Sequence, residues 1–259
     1  MDSQYFDGDE VYSVVPRDDD EEYSNISSEY QSSVPAPTIG ADDERPDLTV
    51  KACKNMSVVF IHDLSGSMEP NIGTMVTGTN EFIQDLQGRY SQPCDFTARF
   101  LLITFAGDRI TVGNWCDVMK VAPYTRANFK CDGSTPLWDA CNIGLDKILT
   151  DCSGQFAAIY AFTDGDDNNS KNATRDSIRK KIATLDPSIQ TMLFIGSDPM
   201  SSSANAEYIG LDRQHSLNPS SDSTPSAMRA CTNTIARCVT GETQTPEFSQ
   251  GDILMSEGS

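Results

Sequence analysis

Val58-Val59-Phe60-Ile61-His62-Asp63-Leu64-Ser65-Gly66-Ser67-Met68 is an apolar run that stops at an acid and a hydroxyl-rich glycine turn. Four consecutive apolar residues of β-favouring type predict a strand covered on both faces, the habit of parallel sheets packed between helices. Three further runs share this character: Phe100 to Phe105 (FLLITF), Ala157 to Phe162 (AAIYAF) and Met192 to Ile195 (MLFI). Ile110 to Val112, just after Ala106-Gly107-Asp108, predicts a short edge strand turned back by a hairpin.

Between these runs the apolar period changes from continuous to helical. Ile72, Met75, Val76, Thr79, Phe82, Ile83 and Leu86 recur at three- and four-residue spacing, as one face of a helix does. Leu137, Cys141, Leu145, Ile148 and Leu149 repeat the pattern after Thr135-Pro136, read as a cap followed by proline at the first helical position. Ile178, Ile182 and Leu185 predict a third helix, and Thr224-Pro225 opens a fourth with Met228, Cys231, Ile235 and Val239. Strands alternating with amphipathic helices specify an α/β fold: a Rossmann-like, doubly wound, mostly parallel sheet with one antiparallel edge strand and helices on both faces.

Outside this core the texture is different. Residues 1–48 hold fourteen acids against Arg17 and Arg45, a net of -12 in a chain of 259 residues with net charge -19. The segment 1–50 is too polar and proline-rich to bury a core and is expected to be a disordered acidic tail. Residues 51–240 form the folded domain. From 241 to 259 the sequence GETQTPEFSQGDILMSEGS predicts a second disordered tail. The acidic balance excludes electrostatic affinity for nucleic acid or anionic membrane. No run approaches the roughly 20 apolar residues of a membrane helix. The opening MDSQYFDGDE lacks the basic and apolar regions of a targeting signal, so the expectation is an intracellular, cytoplasmic chain. The eight cysteines are then reduced thiols, and without a Cys-x-x-Cys pair they do not make a zinc site.

Ligands of open α/β sheets bind outside the carboxyl ends of the strands, which is where Asp63-Leu64-Ser65-Gly66-Ser67 falls. Phe162-Thr163-Asp164-Gly165 delivers a second carboxylate to the same sheet edge, and Asp132-Gly133-Ser134-Thr135-Pro136 brings a hydroxyl at a helix start. Two carboxylates and three hydroxyls form an oxygen-only donor set, suited to a hard divalent cation. The loop Asp164-Gly165-Asp166-Asp167-Asn168-Asn169 lacks the later glycine and terminal glutamate of an EF-hand, so Asp166 and Asp167 read as solvated acids. His62 adjoins Asp63 but points to the opposite face of its strand and reads as a packing residue. Trp115 and Trp138 are expected in the core.

At these residues the chain resembles the von Willebrand factor A family, whose metal ion-dependent adhesion site has the pattern Asp-x-Ser-x-Ser, a distant Thr and a distant Asp. The pattern falls on Asp63, Ser65, Ser67, Thr135 and Asp164, and the phrases DLSGSM, GSTPLWDA and FTDGDDNNS lie within residues 55–240. The wording is most similar to that of stand-alone intracellular members from bacteria, phages and large DNA viruses, which would place a viral protein in host cytoplasm or virion. The resemblance implies that Ser65, Ser67 and in some states Thr135 contact Mg²⁺ or Mn²⁺ directly, while the carboxylates act through water.

Such a site keeps water-filled positions that an Asp or Glu of a partner protein can take. The function expected is therefore a non-catalytic, metal-dependent protein-interaction module, and the chain's own acidic tail is a candidate competitor for the open position. A metal-dependent phosphatase or phosphotransferase is the rival, but a haloacid dehalogenase-type site needs a second Asp where this chain has Ser65. A scaffold with a vestigial metal site is the other. There is no Gly-x-x-x-x-Gly-Lys-Ser/Thr loop for nucleotide.

Overall fold

The computed structural model describes residues 55–89, 97–196, 201–219, 224–240, 242–243 and 247–257, so the expected acidic tail lies outside the described residues. One sheet holds seven strands: β1 (Asn55–Asp63), β2 (Thr97–Ala106), β3 (Arg109–Val112), β4 (Cys116–Asp117), β5 (Phe156–Thr163), β6 (Gln190–Gly196) and β7 (Ser216–Leu217). Their order is β3-β2-β1-β5-β6-β7, with β4 also on β2. β1, β2, β5, β6 and β7 run parallel, and β3 and β4 pair antiparallel with β2. The expected α/β, doubly wound sheet is present. Its antiparallel edge is built from two short strands that follow one another along β2, where the sequence predicts one.

The helices are α1 (Ile72–Arg89), α2 (Leu137–Asp151), α3 (Arg175–Ile182), α4 (Ser201–Tyr208), α5 (Thr224–Thr240) and α6 (Gln250–Glu257). Alternate residues of β1 face opposite ways, which divides the core in two. Met56, Val58 and Phe60 pack with Met75 and Phe82 of α1 and Met228 and Ile235 of α5. Val59 and Ile61 pack on the other side with Leu145 and Ile148 of α2, Ile178 of α3 and Ala206 of α4. On the first face the Phe60 ring lies 4.6 Å from Phe82, 5.3 Å from Phe100 and 5.5 Å from Tyr160, centroid to centroid. Each such fully buried side chain contributes about 1.5–3 kcal/mol. The helices on this face approach closely because Gly78 carries no Cβ: one built there would meet Met228 Cγ at 2.5 Å.

Three expectations need correction. Residues 250–257 are helical rather than loose, and Phe248 is buried. The segment has no apolar stripe to announce a helix. It is held instead by a reciprocal cap, with Ser249 N donating to Asp252 Oδ2 at 2.9 Å and Asp252 N to Ser249 Oγ at 3.2 Å, and by Arg237, which donates to Asp252 Oδ2 at 2.7 Å. Secondly, α2 begins at Leu137 with Pro136 at its cap position, so Thr135 stands outside the helix. Distant groups cap it: Asp167 accepts from Trp138 N at 3.3 Å and Ser170 Oγ from Asp139 N at 3.0 Å. Thirdly, Asp167 is therefore a structural acceptor, not a solvated acid. Asp166 is exposed, as expected.

Candidate metal centre

The reversal in strand order lies between β1 and β5: the chain leaves β1 towards β2 on one side, and β5 and β6 extend the sheet on the other. At such a switch point the loops diverge and open a crevice at the carboxyl ends of the strands. Asp63 is the last residue of β1, and Asp164 follows the last residue of β5. Register sets them side by side, with His62 opposite Phe162 across the parallel pair.

Asp63 is fully buried. Its Oδ1 accepts from Ser65 N at 2.7 Å, which turns the chain directly after the strand, and its Oδ2 accepts from Thr163 Oγ1 at 2.7 Å. Ser65 and Ser67 bring their hydroxyl oxygens to 3.1 Å, and Ser67 Oγ donates to Asp164 Oδ1 at 2.9 Å. Four of the five expected residues thus form one connected set of oxygens. Thr135 is placed beside them by its backbone: Thr135 N donates to Asn168 Oδ1 at 2.8 Å and Thr135 O accepts from Asn168 N at 3.1 Å. Thr135 itself is buried.

Glycines let three loops meet here. Gly66 N donates to Gly133 O at 3.1 Å, Asp132 N to Leu64 O at 2.9 Å and Gly107 N to Ser134 O at 2.8 Å. Gly133 has φ +66°, and a Cβ on it would stand 2.9 Å from Gly107 Cα. A side chain at this position would separate the loop after β2 from the loop before α2.

Burial pushes the Asp63 carboxyl up to about 6, against the hydrogen bonds from Thr163 and Ser65 that favour its ionised form, and the neighbouring Asp164 charge pushes the same way as burial. A buried carboxylate beside a second carboxylate is destabilised unless a cation compensates it. Together with three hydroxyl oxygens, this donor set fits a hard divalent ion. Asp63 would act mainly by orienting Ser65 and by charge, because both its oxygens already accept hydrogen bonds.

His62 is buried among Phe60, Phe129 and Phe162. Thr79 Oγ1 donates to Met75 O at 2.8 Å, so at 3.2 Å from His62 Nε2 it accepts, which places the imidazole proton on Nε2. Burial lowers the pKa of the ring to about 3, so it is neutral. Trp138 is core, whereas Trp115 is half-buried near the start of β2, where the Arg99 guanidinium stacks on it at 4.3 Å. The six described cysteines are free thiols. No described helix is long and apolar enough to cross a membrane.

Several supporting residues are not visible in the motif. Thr163 orients Asp63, and Asn168 holds Thr135. Asp139, buried near the start of α2, accepts from Lys171 N at 2.9 Å, Asn172 N at 3.0 Å and Ala173 N at 2.6 Å, and so ties down the end of the Asp164 loop. Burial opposes its charge, yet these N–H groups hold its carboxyl below the usual range. Asn169 Nδ2 donates to Gly107 O at 2.7 Å and joins the same loop to the β2 turn. The only sequence signal was the run of Asp and Asn after Asp164, types that favour side chain to backbone bonds.

Neither a protein-family model nor a curated protein matches the sequence. Solved structures do. The vWF domain of the type V pili tip protein Mfa5 from Porphyromonas gingivalis aligns with a TM-score of 0.54 at 8% identity, covering 71% of this chain and 96% of that one. The pilus adhesin SpaC from Lactobacillus rhamnosus GG gives a TM-score of 0.54 at 14% identity, over 73% of this chain and 31% of that one. Proximal thread matrix protein 1 from the mussel byssus is 18% identical with a TM-score of 0.47, over 69% of this chain and 45% of its own. The chain thus spans less than half the length of the adhesin and matrix-protein chains. Identities this low bear on the fold alone, and the alignment takes in nearly the whole Mfa5 domain. The described part of this chain has the fold of a von Willebrand factor A-type domain.

Proposed function

We propose that this chain is a non-catalytic protein-binding module in which a divalent cation, Mg²⁺ or Mn²⁺, held by Asp63, Ser65, Ser67, Thr135 and Asp164, receives an Asp or Glu side chain from a partner protein. The observation that carries the reading is the connected oxygen set Ser65–Ser67–Asp164, anchored on buried Asp63 and flanked by buried Thr135. When bound, the cation supplies the positive charge that a partner carboxylate meets. The protein's part is to hold neutral hydroxyls at that point, so that the two carboxylates balance the ion without saturating it. Ser67 is exposed, which leaves the site open to an incoming group.

Acid–base catalysis needs a proton carrier at the reacting centre. His62, the histidine next to Asp63 in the sequence, is buried and bonded to Thr79, so it does not serve as that carrier. The adhesin and pilus-tip neighbours are consistent with a binding role.

Thermal unfolding of the whole chain with Mg²⁺, with Mn²⁺ and with chelator tests the centre. A ligand that binds only the native state at about 100 times its Kd stabilises by about 2.7 kcal/mol. The expected result is a cation-dependent rise in Tm that disappears in Ser65→Ala. No rise with either ion would refute the proposal.

A further inference from the structure

Five of the 19 basic residues of this acidic chain fall within one short stretch. From Lys171 to Lys181 there are five basic residues and one acid, Asp176, a local charge of +4 within a total of -19. Lys171 is paired with Asp108 and Lys181 with Asp146, each at 2.6 Å. Arg175, the first residue of α3, is held differently. Its guanidinium lies 4.1 Å from the centroid of the Tyr208 ring and 5.8 Å from that of Trp138. Its ion pair with Asp166 is long, 4.0 Å, between side chains that are 41% and 65% exposed, so it holds the charge only weakly.

This guanidinium lies against the loop that carries Asp164. Asp166 belongs to the loop that carries Asp164, and Trp138 follows Thr135 by three residues. Tyr208 lies on α4, which is tied to the same loop by Asn205 Nδ2 donating to Gly165 O at 3.3 Å. Stacking on aromatic faces leaves the N–H edge of an arginine available and removes rotamer freedom before a ligand arrives.

We propose that Arg175, held between Tyr208 and Trp138, is a second carboxylate-binding position beside the metal centre, so that the recognised segment of the partner carries two acidic residues. One meets the cation and the other makes a forked pair with the guanidinium. The inference rests on the metal-centre reading and adds to it a preference for paired acids. Charge balance supports it. Asp63 and Asp164 already offset a divalent ion, and Asp166 and Asp167 add negative charge beside it. An acidic partner therefore needs a further fixed cation, and α3 supplies one.

The test is fluorescence anisotropy on the whole chain, in Mg²⁺ and in EDTA, with labelled Gly/Ser peptides. One carries a single Asp; the others carry a second Asp at increasing separation. At one separation the paired peptide should bind about tenfold tighter, the effect of one charge-assisted contact. That ratio should collapse towards one in Arg175→Gln and be only partly kept in Arg175→Lys, which retains charge but not the fork or the ring stacking. Tyr208→Leu, which removes the nearer ring and leaves the guanidinium, should also lower it. A ratio near one at every separation, or one that survives Arg175→Gln, overturns the second position; Mg²⁺-dependent capture of the single-Asp peptide would then leave the metal centre standing. If the single-Asp peptide shows no Mg²⁺-dependent binding, the metal-centre reading falls and the Arg175 position with it.

Discussion

Asp63→Asn should make the metal-free chain more stable at neutral pH while removing its response to Mg²⁺. The substitution preserves shape. An Asn carbonyl still accepts from Ser65 N, and its amide donates to Thr163 Oγ1, whose own hydrogen can turn to Gly165 O at 3.2 Å. What is lost is a buried charge. A carboxyl raised from 3.8 to about 6 makes ionised Asp63 cost roughly 3 kcal/mol, at about 1.4 kcal/mol per pH unit. Between pH 3.8 and about 6 the native chain keeps a proton that the unfolded chain has released. Metal-free stability therefore falls as pH rises through that window and remains lower above it. The amide does not titrate, so the variant should exceed wild type by about 2–3 kcal/mol at about pH 7.5 and by little at about pH 4. Urea unfolding in chelator at both pH values measures the difference. A variant less stable than wild type at neutral pH, or a difference independent of pH, would show that Asp63 is not an uncompensated buried charge.

Gly133→Ala places a side chain at φ +66° with its Cβ 2.9 Å from Gly107 Cα; a loss of at least about 1–2 kcal/mol is expected, together with a weaker Mg²⁺-dependent shift in Tm. Asp139→Ala leaves three backbone N–H groups without their acceptor and should lower the free energy of urea unfolding by about 3 kcal/mol. Because the native carboxyl of Asp139 lies below its usual range, the stability it lends is present at neutral pH and lost as pH falls, so this gap should narrow on acidification. Phe248→Ala should cost about 3 kcal/mol or more by calorimetry, whereas a neutral result would mean that the segment before α6 does not pack as described.

Most of the sheet can be read locally. β1, β2, β5 and β6 each carry a continuous apolar run, and α1, α2 and α5 an apolar stripe, because a two-sided sheet and its covering helices impose those patterns on adjacent residues. α4 (SSSANAEY) has no stripe, with Asn205 and Ala206 buried among its described side chains, while β7 has two residues and owes its strand form to pairing with β6. The helix α6 did carry a signal in Ser249-Gln250-Gly251-Asp252, a capping box, which the absence of an apolar period hides.

At the metal centre, Asp63, Ser65, Ser67 and Asp164 are legible because each lies at or just beyond the end of a recognisable strand, where position along the chain already implies position in the sheet. What completes the centre is not local. Thr163 reaches Asp63 across 100 residues, Asn168 holds Thr135 across 33, and Arg175 meets its two rings from separate helices. Hydrophobic period acts between neighbours in sequence, so it determines which segments are strands and where they stop. Which oxygen accepts which proton, and which cation stands beside the site, depends on strand register and on loops that only touch once the sheet is assembled.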